Sequence, residues 1–178
     1  VVKGKQAHGA YPWKSVDPIV TAAQIVMGLQ TIVSRELRLI DNAAVVSVGS
    51  IHGGNRSNII PEEVELIGTI RTLNPQAKKL VKEAVERKAR AIAKSMNAQV
   101  DIELPYKYSY PVTYNDKSLM AKMIPSLNKA AGTENVVTST AVTGAEDFSF
   151  YQQQVPGVFL FLGGKPKHWT QVQAPAHH

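Results

Sequence analysis

Two helix-start signals organise this chain. Asp17-Pro18 and Asn74-Pro75 each set a capping side chain directly before a proline, whose fixed φ and missing N–H suit the first helical position. Behind the first signal, Ile19, Ala22, Ala23, Val26, Leu29 and Val33 recur at i, i+3 and i+4 spacing, which predicts a helix buried along that stripe. Behind the second, Ala77, Leu80, Val81, Ala84, Ala91 and Ile92 form the apolar stripe. The opposite face mixes Lys and Arg with Glu83 and Glu86, as a solvated helix face does. Around these helices lie four stretches with strand character: residues 1–6, 43–51, 63–73 and 99–104. The third alternates, with Val64, Leu66 and Ile70 toward one face and Glu63, Glu65, Thr69 and Arg71 toward the other. The order β-α-β-β-α-β is the split βαβ, ferredoxin-like arrangement, an α+β class with both helices on one face of an antiparallel sheet. Arg71 then stands on the face the helices leave open.

After Leu104 the texture changes. Residues 105–111 are aromatic and broken by Pro105 and Pro111, and read as the end of the module plus a linker. A third helix is expected from near Asp116 to Gly132, kinked or split by Pro125. Val136-Val137 reads as a short strand, Thr143-Gly144-Ala145-Glu146 as a capping box before a short helix, residues 158–162 as a buried strand and 163–178 as a loop. The expected domains are 1–111 and 112–178. The second is too small to stand alone, and its sheet needs strands from elsewhere. The chain starts as if in mid-strand and stops abruptly, so a piece of a longer protein is expected.

Several functions are excluded or disfavoured. The 178 residues contain no Cys, which rules out disulfides, a thiolate zinc site and a Cys nucleophile within them. No apolar run approaches the roughly 18–20 residues of a membrane span. HExxH, GxSxG and Walker motifs are missing. The net charge of +6 raises nucleic acid as a partner. The basic residues gather on a helix, however, and Gly68-Thr69-Ile70-Arg71-Thr72 has no aromatic residue on which bases could stack. The residues that could carry chemistry sit at turns beside strands. His8 follows the first strand and reads equally as a surface turn histidine. Asn58 closes the tight segment Gly53-Gly54-Asn55-Arg56-Ser57-Asn58, where a turn-forming role suffices. Arg71 could grip a carboxylate bidentately or pair across strands with Glu63 or Glu65. Glu146 has its place in the capping box, and His177-His178 read as metal ligands or as the stub of a purification tag.

Taken together, several motifs carry a resemblance. Gly4-Lys5-Gln6-Ala7-His8-Gly9-Ala10-Tyr11-Pro12 followed by Asp17-Pro18-Ile19 resembles the start of the dimerisation domain in metal-dependent aminoacylases and carboxypeptidases. The branch is that of hippurate hydrolases, N-acyl-amino-acid amidohydrolases and indoleacetyl-amino-acid hydrolases. Leu29–Arg35 of the first helix, Gly53-Gly54 with Asn58-Ile59-Ile60-Pro61, Gly68–Thr72, Gly144-Ala145-Glu146-Asp147-Phe148-Ser149, Pro156-Gly157 and the Ala-Pro-Ala-His-His ending fit in the same order.

The resemblance implies a ferredoxin-like dimerisation domain over 1–111 and a partial α/β metallohydrolase catalytic domain over 112–178. The main metal-binding segment would lie ahead of Val1, so this chain alone would be inactive. It further implies that His8 stabilises the oxyanion, that Asn58 and Arg71 bind substrate with Glu146 beside them, and that His178 is a metal ligand. Two divalent ions (zinc, manganese, cobalt or nickel) would activate a water that cuts an N-acyl amino acid or dipeptide. The expected partner is a second copy of the chain, with no nucleic acid and no membrane. The expected location is cytoplasmic, with periplasmic or secreted settings left open. Where the branch often carries a second His after Pro12, this chain has Trp13, which makes the pocket more apolar. The alternative is a free-standing ferredoxin-like dimerisation or binding module without catalysis.

Overall fold

The computed structural model describes residues 1–164. Both helix-start signals act as predicted. The Asp17 carboxylate accepts from the N–H groups of Ile19 at 2.8 Å and Val20 at 3.2 Å, opening α1, Pro18–Thr31, which runs into a π-turn at Ile32–Glu36. Asn74 Oδ1 accepts from the Ala77 N–H at 2.7 Å and opens α2, Pro75–Ser95. Each cap satisfies donors that a helix start otherwise orphans. The strands are β1 Val2–Lys3, β2 Ala7–His8, β3 Ala44–His52, β4 Ile59–Ile60, β5 Glu63–Thr72 and β6 Gln99–Val100. Four of them form a sheet in the order β3-β5-β1-β6, every pair antiparallel. This is the ferredoxin-like order that the alternation of strands and helices predicts.

The core lies between the sheet and the two helices. Val2 stands opposite both Val64 and Val100. Val2 and Val64 are each 1% exposed and pack with Ile25, Leu29, Val81 and Val85. Burial of one such valine is worth about 1.5–3 kcal/mol relative to leaving it in water. The helices approach closely where Gly28 of α1 meets Ile92 of α2, since a Cβ on Gly28 would lie 2.5 Å from Ile92 Cδ1.

Both helix stripes are rotated from the expected ones. In α1 the buried residues are Pro18, Thr21, Ala22, Ile25 and Leu29, followed by Ile32, while Ile19 and Ala23 face outward. This helix is apolar nearly all round, so periodicity alone could not choose its face. A second apolar face, Ile19, Ala23 and Met27, is left exposed. In α2 the buried set is Ala77, Val81, Ala84, Val85, Ala89 and Ala93, while Leu80 stands outside. The small alanines let the helix sit close to its neighbours, and the bulkier Leu80 goes to the flank.

Other expectations are corrected. Residues 1–6 are not one strand: Gly4 donates its N–H to Glu62 O at 2.8 Å, and Lys5 then bridges to Val16. A Cβ on Gly4 would fall 2.1 Å from the Val16 carbonyl oxygen, so only glycine passes there. The last strand stops at Val100, although Val1 and Asp101 still exchange backbone hydrogen bonds of 2.8 and 2.9 Å, and Ile102 and Leu104 still pack on the core. Pro125 does not split its helix; α3, Lys117–Ala131, is continuous and begins where Asp116 Oδ1 accepts from the Leu119 N–H at 2.7 Å. Pro125 lies on the exposed side, where water can serve the carbonyl it frees.

The capping box does not form. The short helix α4, Phe148–Gln152, is preceded by Asp147, and no side chain caps it. Glu146 serves through its backbone, its carbonyl accepting from the Ser149 hydroxyl at 2.6 Å. Val136-Val137 and residues 158–162 form no strand, because no strand among the described residues lies alongside them; Leu162 is 97% exposed. The expected ligands His177 and His178 lie outside the described residues, as does the loop from residue 165 onward. No helix among the described residues is long and apolar enough to cross a membrane.

Candidate functional site

Beside the main sheet, β2 and β4 form a two-stranded ribbon with Ala7 opposite Ile60 and His8 opposite Ile59. The Gly9 N–H donates to Asn58 O at 2.7 Å. A Cβ on Gly9 would lie 3.2 Å from that oxygen, so glycine permits the close approach. The ribbon thereby brings the His8 and Asn58 backbones near each other, although they are distant in sequence, with Ile59 opposite His8 and Asn58 opposite Gly9. Both side chains are exposed. The Asn58 amide makes no hydrogen bond among the described residues, so its donors and acceptor are available to a ligand.

His8 is held in a defined state. Its Nδ1 accepts the Ala10 N–H at 3.1 Å, and its carbonyl accepts the Tyr11 N–H at 2.8 Å. A neutral imidazole that accepts at Nδ1 carries its proton on Nε2. His8 therefore presents an Nε2–H donor to solvent, the atom that an oxyanion-stabilising histidine must offer. Its ring centroid lies 5.8 Å from that of Tyr11, which in turn meets Trp13 edge-on at 5.6 Å. Tyr11 is 49% and Trp13 73% exposed, an unusual outlay of aromatic surface beside a polar group. The sequence hint to this pair was the flanking of Pro12 by two aromatic residues within the His8 motif.

Arg71 lies elsewhere. It alternates with the core-packed Ile70, so it is on the face of the sheet away from the helices, opposite Val45 of β3. Among the described residues no carboxylate lies within salt-bridge distance of its guanidinium, so the expected cross-strand pairing with Glu63 or Glu65 is not made. Arg71 is eight positions along β5 from Glu63, about 27 Å at the antiparallel rise, and the His8–Asn58 ribbon lies beyond the Glu63 end. Within one chain, then, His8 and Asn58 do not share a small ligand with Arg71. Arg71 and Glu146 do line one open cleft of about 1970 Å³, bounded by β5, the 106–115 linker and residues 136–146.

That cleft also contains Lys78, which the helix pattern assigns to the solvated face of α2. Lys78 Nζ donates to the Tyr110 carbonyl at 2.6 Å and so ties α2 to the linker. Burial, and secondarily the charge of Lys82, push its ammonium below the usual lysine range. A hint was available: a lysine in the first turn of a helix opposes the helix dipole and wants another reason to be there. Among the described residues no three His, Asp or Glu side chains converge to hold a metal ion. The donor set among the described residues does not fit a dinuclear centre.

Comparison with known proteins agrees with this fold. A family model described as a peptidase dimerisation domain matches residues 1–97. The chain is 37% identical over 164 residues to an N-acetylcysteine deacetylase of Bacillus subtilis (strain 168), covering 92% of this chain and 42% of that protein. It is 36% identical over 178 residues to an IAA-amino acid hydrolase of Arabidopsis thaliana, ILR1-like 4, covering 98% of this chain and 40% of the relative. A solved dinuclear metal-binding peptidase of the M20 family from Bacillus subtilis superposes with a TM-score of 0.66 at 28% identity, covering 89% of this chain and 39% of that one. The chain thus spans about two-fifths of the length of the curated relatives it matches.

Proposed function

Since the chain belongs to the M20 peptidase family through its dimerisation domain, we propose that it is the dimer-forming and substrate-contacting part of a longer amidohydrolase that cleaves the amide bond of N-acyl amino acids. The observation that carries this reading is the His8–Asn58 pair. An imidazole that accepts at Nδ1 and so offers Nε2–H, on the same ribbon as an unengaged carboxamide, suits a developing oxyanion and a substrate amide. On this reading residues 1–111 are the dimerisation domain and 112–178 part of the catalytic domain. Arg71 receives the carboxylate of the amino-acid half, with Glu146 on the same cleft. On this reading the divalent ions (zinc, manganese, cobalt or nickel) and the water they activate are held mainly by other segments of the longer protein, with His178 as the ligand this chain contributes.

The separation of Arg71 from the ribbon, exceeding the roughly 27 Å of β5 between Arg71 and Glu63, favours a site built from two chains. β3 is an edge strand, and the outward apolar face of α1, Ile19, Ala23 and Met27, is unpartnered. Edge-to-edge pairing of β3 with the β3 of a second copy about a two-fold axis would continue the sheet and cover that face. Val45, opposite Arg71, lies at one end of β3, and His52, opposite Glu65, at the other. The two-fold therefore sets the Arg71 end of one chain beside the partner's ribbon end. Each site then takes Arg71 from its own chain and the partner's His8 and Asn58. The test is a hydrolysis panel on the full-length protein, using N-acetyl, N-benzoyl and indoleacetyl amino acids with and without a free carboxylate. Release of the free amino acid, lost on chelation of divalent metal, is expected. No turnover of any acyl amino acid by metal-replete protein would overturn the reading.

A further inference from the structure

The turn that follows His8 carries a row of rings. The His8 ring meets Tyr11 at 5.8 Å between centroids, tilted by 50°, and Tyr11 meets Trp13 at 5.6 Å and 80°. The row is firmly mounted. Lys5 and Val16 exchange backbone hydrogen bonds of 2.9 and 3.1 Å and close the neck of the loop. Inside it, the Tyr11 N–H donates to the His8 carbonyl at 2.8 Å and the Lys14 N–H to the Tyr11 carbonyl at 3.0 Å. The Ser15 N–H and hydroxyl both donate to the Pro12 carbonyl, at 3.0 and 2.7 Å. Pro12 opens the 3-10 turn Pro12–Lys14 with its φ already fixed. A loop braced in this way has little freedom left to lose when a ligand settles on it.

No residue of that turn is buried, so its rings add nothing to the core. The rings differ in what they have left to offer. Lys14 Nζ lies 5.2 Å from the Tyr11 centroid as a cation over the ring, and His8 and Trp13 flank it. Tyr11 is already partnered and acts as a spacer. Trp13 meets only Tyr11 among the aromatic side chains of the described residues, and most of its indole faces solvent.

The two centroid separations put Trp13 no more than about 11 Å from the His8 ring. A carbonyl whose oxygen accepts from His8 Nε2–H therefore carries its acyl group within reach of the indole. The amino-acid half of the substrate ends in a carboxylate, for which an apolar indole has no partner. The acyl half is the one that fits. An acetyl group offers the indole a single methyl, whereas a benzoyl or indoleacetyl group offers a flat ring that gains buried area and offset or edge-on ring contact. The similar proteins named as an N-acetylcysteine deacetylase and an IAA-amino acid hydrolase differ in acyl group, so the choice falls to the residues of this chain.

We propose that Trp13 is a specificity-determining residue for the acyl half of the substrate, a platform on which a flat, ring-bearing acyl group rests while His8 holds the carbonyl oxygen. The inference rests on the reading of the chain as part of a hydrolase of N-acyl amino acids. His8 and Trp13 belong to one braced turn, so whichever subunit supplies His8 to a site supplies the platform with it.

The experiment uses the full-length, metal-replete protein and one amino acid presented as its N-acetyl and N-benzoyl derivatives. Trp13→Ala should lower kcat/KM on the N-benzoyl compound roughly 10- to 100-fold and leave the N-acetyl compound within about threefold of wild type. The loss should appear in KM, because a ring resting on the indole in both the ground and the transition state contributes uniform binding. Trp13→Phe, which keeps a flat ring, should retain most of the preference. Equal losses on both compounds, or a fall in kcat at unchanged KM, would overturn the inference and make Trp13 a structural contact. A wild-type protein that cleaves the N-acetyl compound and rejects the N-benzoyl one would overturn it too. If neither compound is hydrolysed, the proposed function falls; hydrolysis with a benzoyl-to-acetyl ratio unmoved by Trp13→Ala sinks the platform alone.

Discussion

Two crippled variants of the full-length protein, His8→Ala and Arg71→Ala, should repair each other when their subunits are mixed. Alone, His8→Ala removes an oxyanion donor, and kcat should fall by ~10²–10³. Arg71→Ala removes a charge-assisted carboxylate contact worth about 1.5–3 kcal/mol, which is roughly a 10- to 150-fold loss in kcat/KM. About 27 Å of strand separates Arg71 from Glu63, with the ribbon beyond, so on the proposed reading a site that uses both draws them from different chains. In a mixed dimer, one site then has Arg71 from the His8→Ala chain and His8 from the Arg71→Ala chain and is intact. The other site lacks both groups. Random equal mixing makes half of the dimers mixed, with one good site in each, so about a quarter of wild-type activity should return. Dimers purified through two different affinity tags should show about half. The assay is kcat/KM on an N-acyl amino acid below KM, with subunit exchange verified by mass. Activity that stays at the average of the two parents in verified mixed dimers would refute the two-chain site.

Two further outcomes are accessible by simpler means. Gly68→Ala drives a Cβ to 2.3 Å from the Ser47 carbonyl oxygen, a backbone atom that cannot swing away, and should cost about 1–3 kcal/mol in urea unfolding; Gly49→Ala, which meets nothing within 4 Å, is the control and should stay near neutral. Glu36 is held by Lys88 at 2.7 Å and by Arg87, and its hydrogen bond to Lys88 holds the carboxyl below its ordinary 4.5. Because the folded value is the lower one, this contribution is present above the unfolded pKa and is lost as pH falls through the folded value. Glu36→Gln should therefore lower the melting temperature at pH 7 and lose its effect as the pH is taken far enough below 4.5 to protonate the folded carboxyl; a deficit that does not shrink with acidification would remove the ion pair from the account.

The legible and illegible parts of this protein divide along physical lines. Asp17 and Asn74 could be read because a cap acts within three residues of itself. The strand order followed from alternation and connectivity rules that need no contacts. The buried face of α1 could not be read, because Ile25 and Ile32 compete with Ile19 and Ala23 on a helix apolar all round, and only the sheet decides between them. At the site, His8, Asn58 and Arg71 could be singled out by their motifs. The pairing of the first two depends on the β2–β4 register, and their separation from Arg71 on the length of β5, both properties of the assembled sheet. The capping-box expectation at Glu146 failed because the helix starts at Phe148, four residues past the start that Thr143 as cap would set, and no side chain caps it.

The edge strand β3 also bears on how this protein avoids growing without limit. Its outer rim is long enough to nucleate a fibre, and an apolar helix face lies close by. A break in the ladder between Val48 and Ser50 interrupts the rim and shifts the side-chain phase between its two halves. A strand from an unrelated chain would match one half and mismatch the other, whereas the same strand turned about a two-fold axis meets its own irregularity. The far side of the sheet ends in β6, only two residues long, which offers little to a third molecule. Association through β3 would use up the longest free edge strand among the described residues and stop at a pair, so the feature that would make the chain sociable would also make its assembly finite.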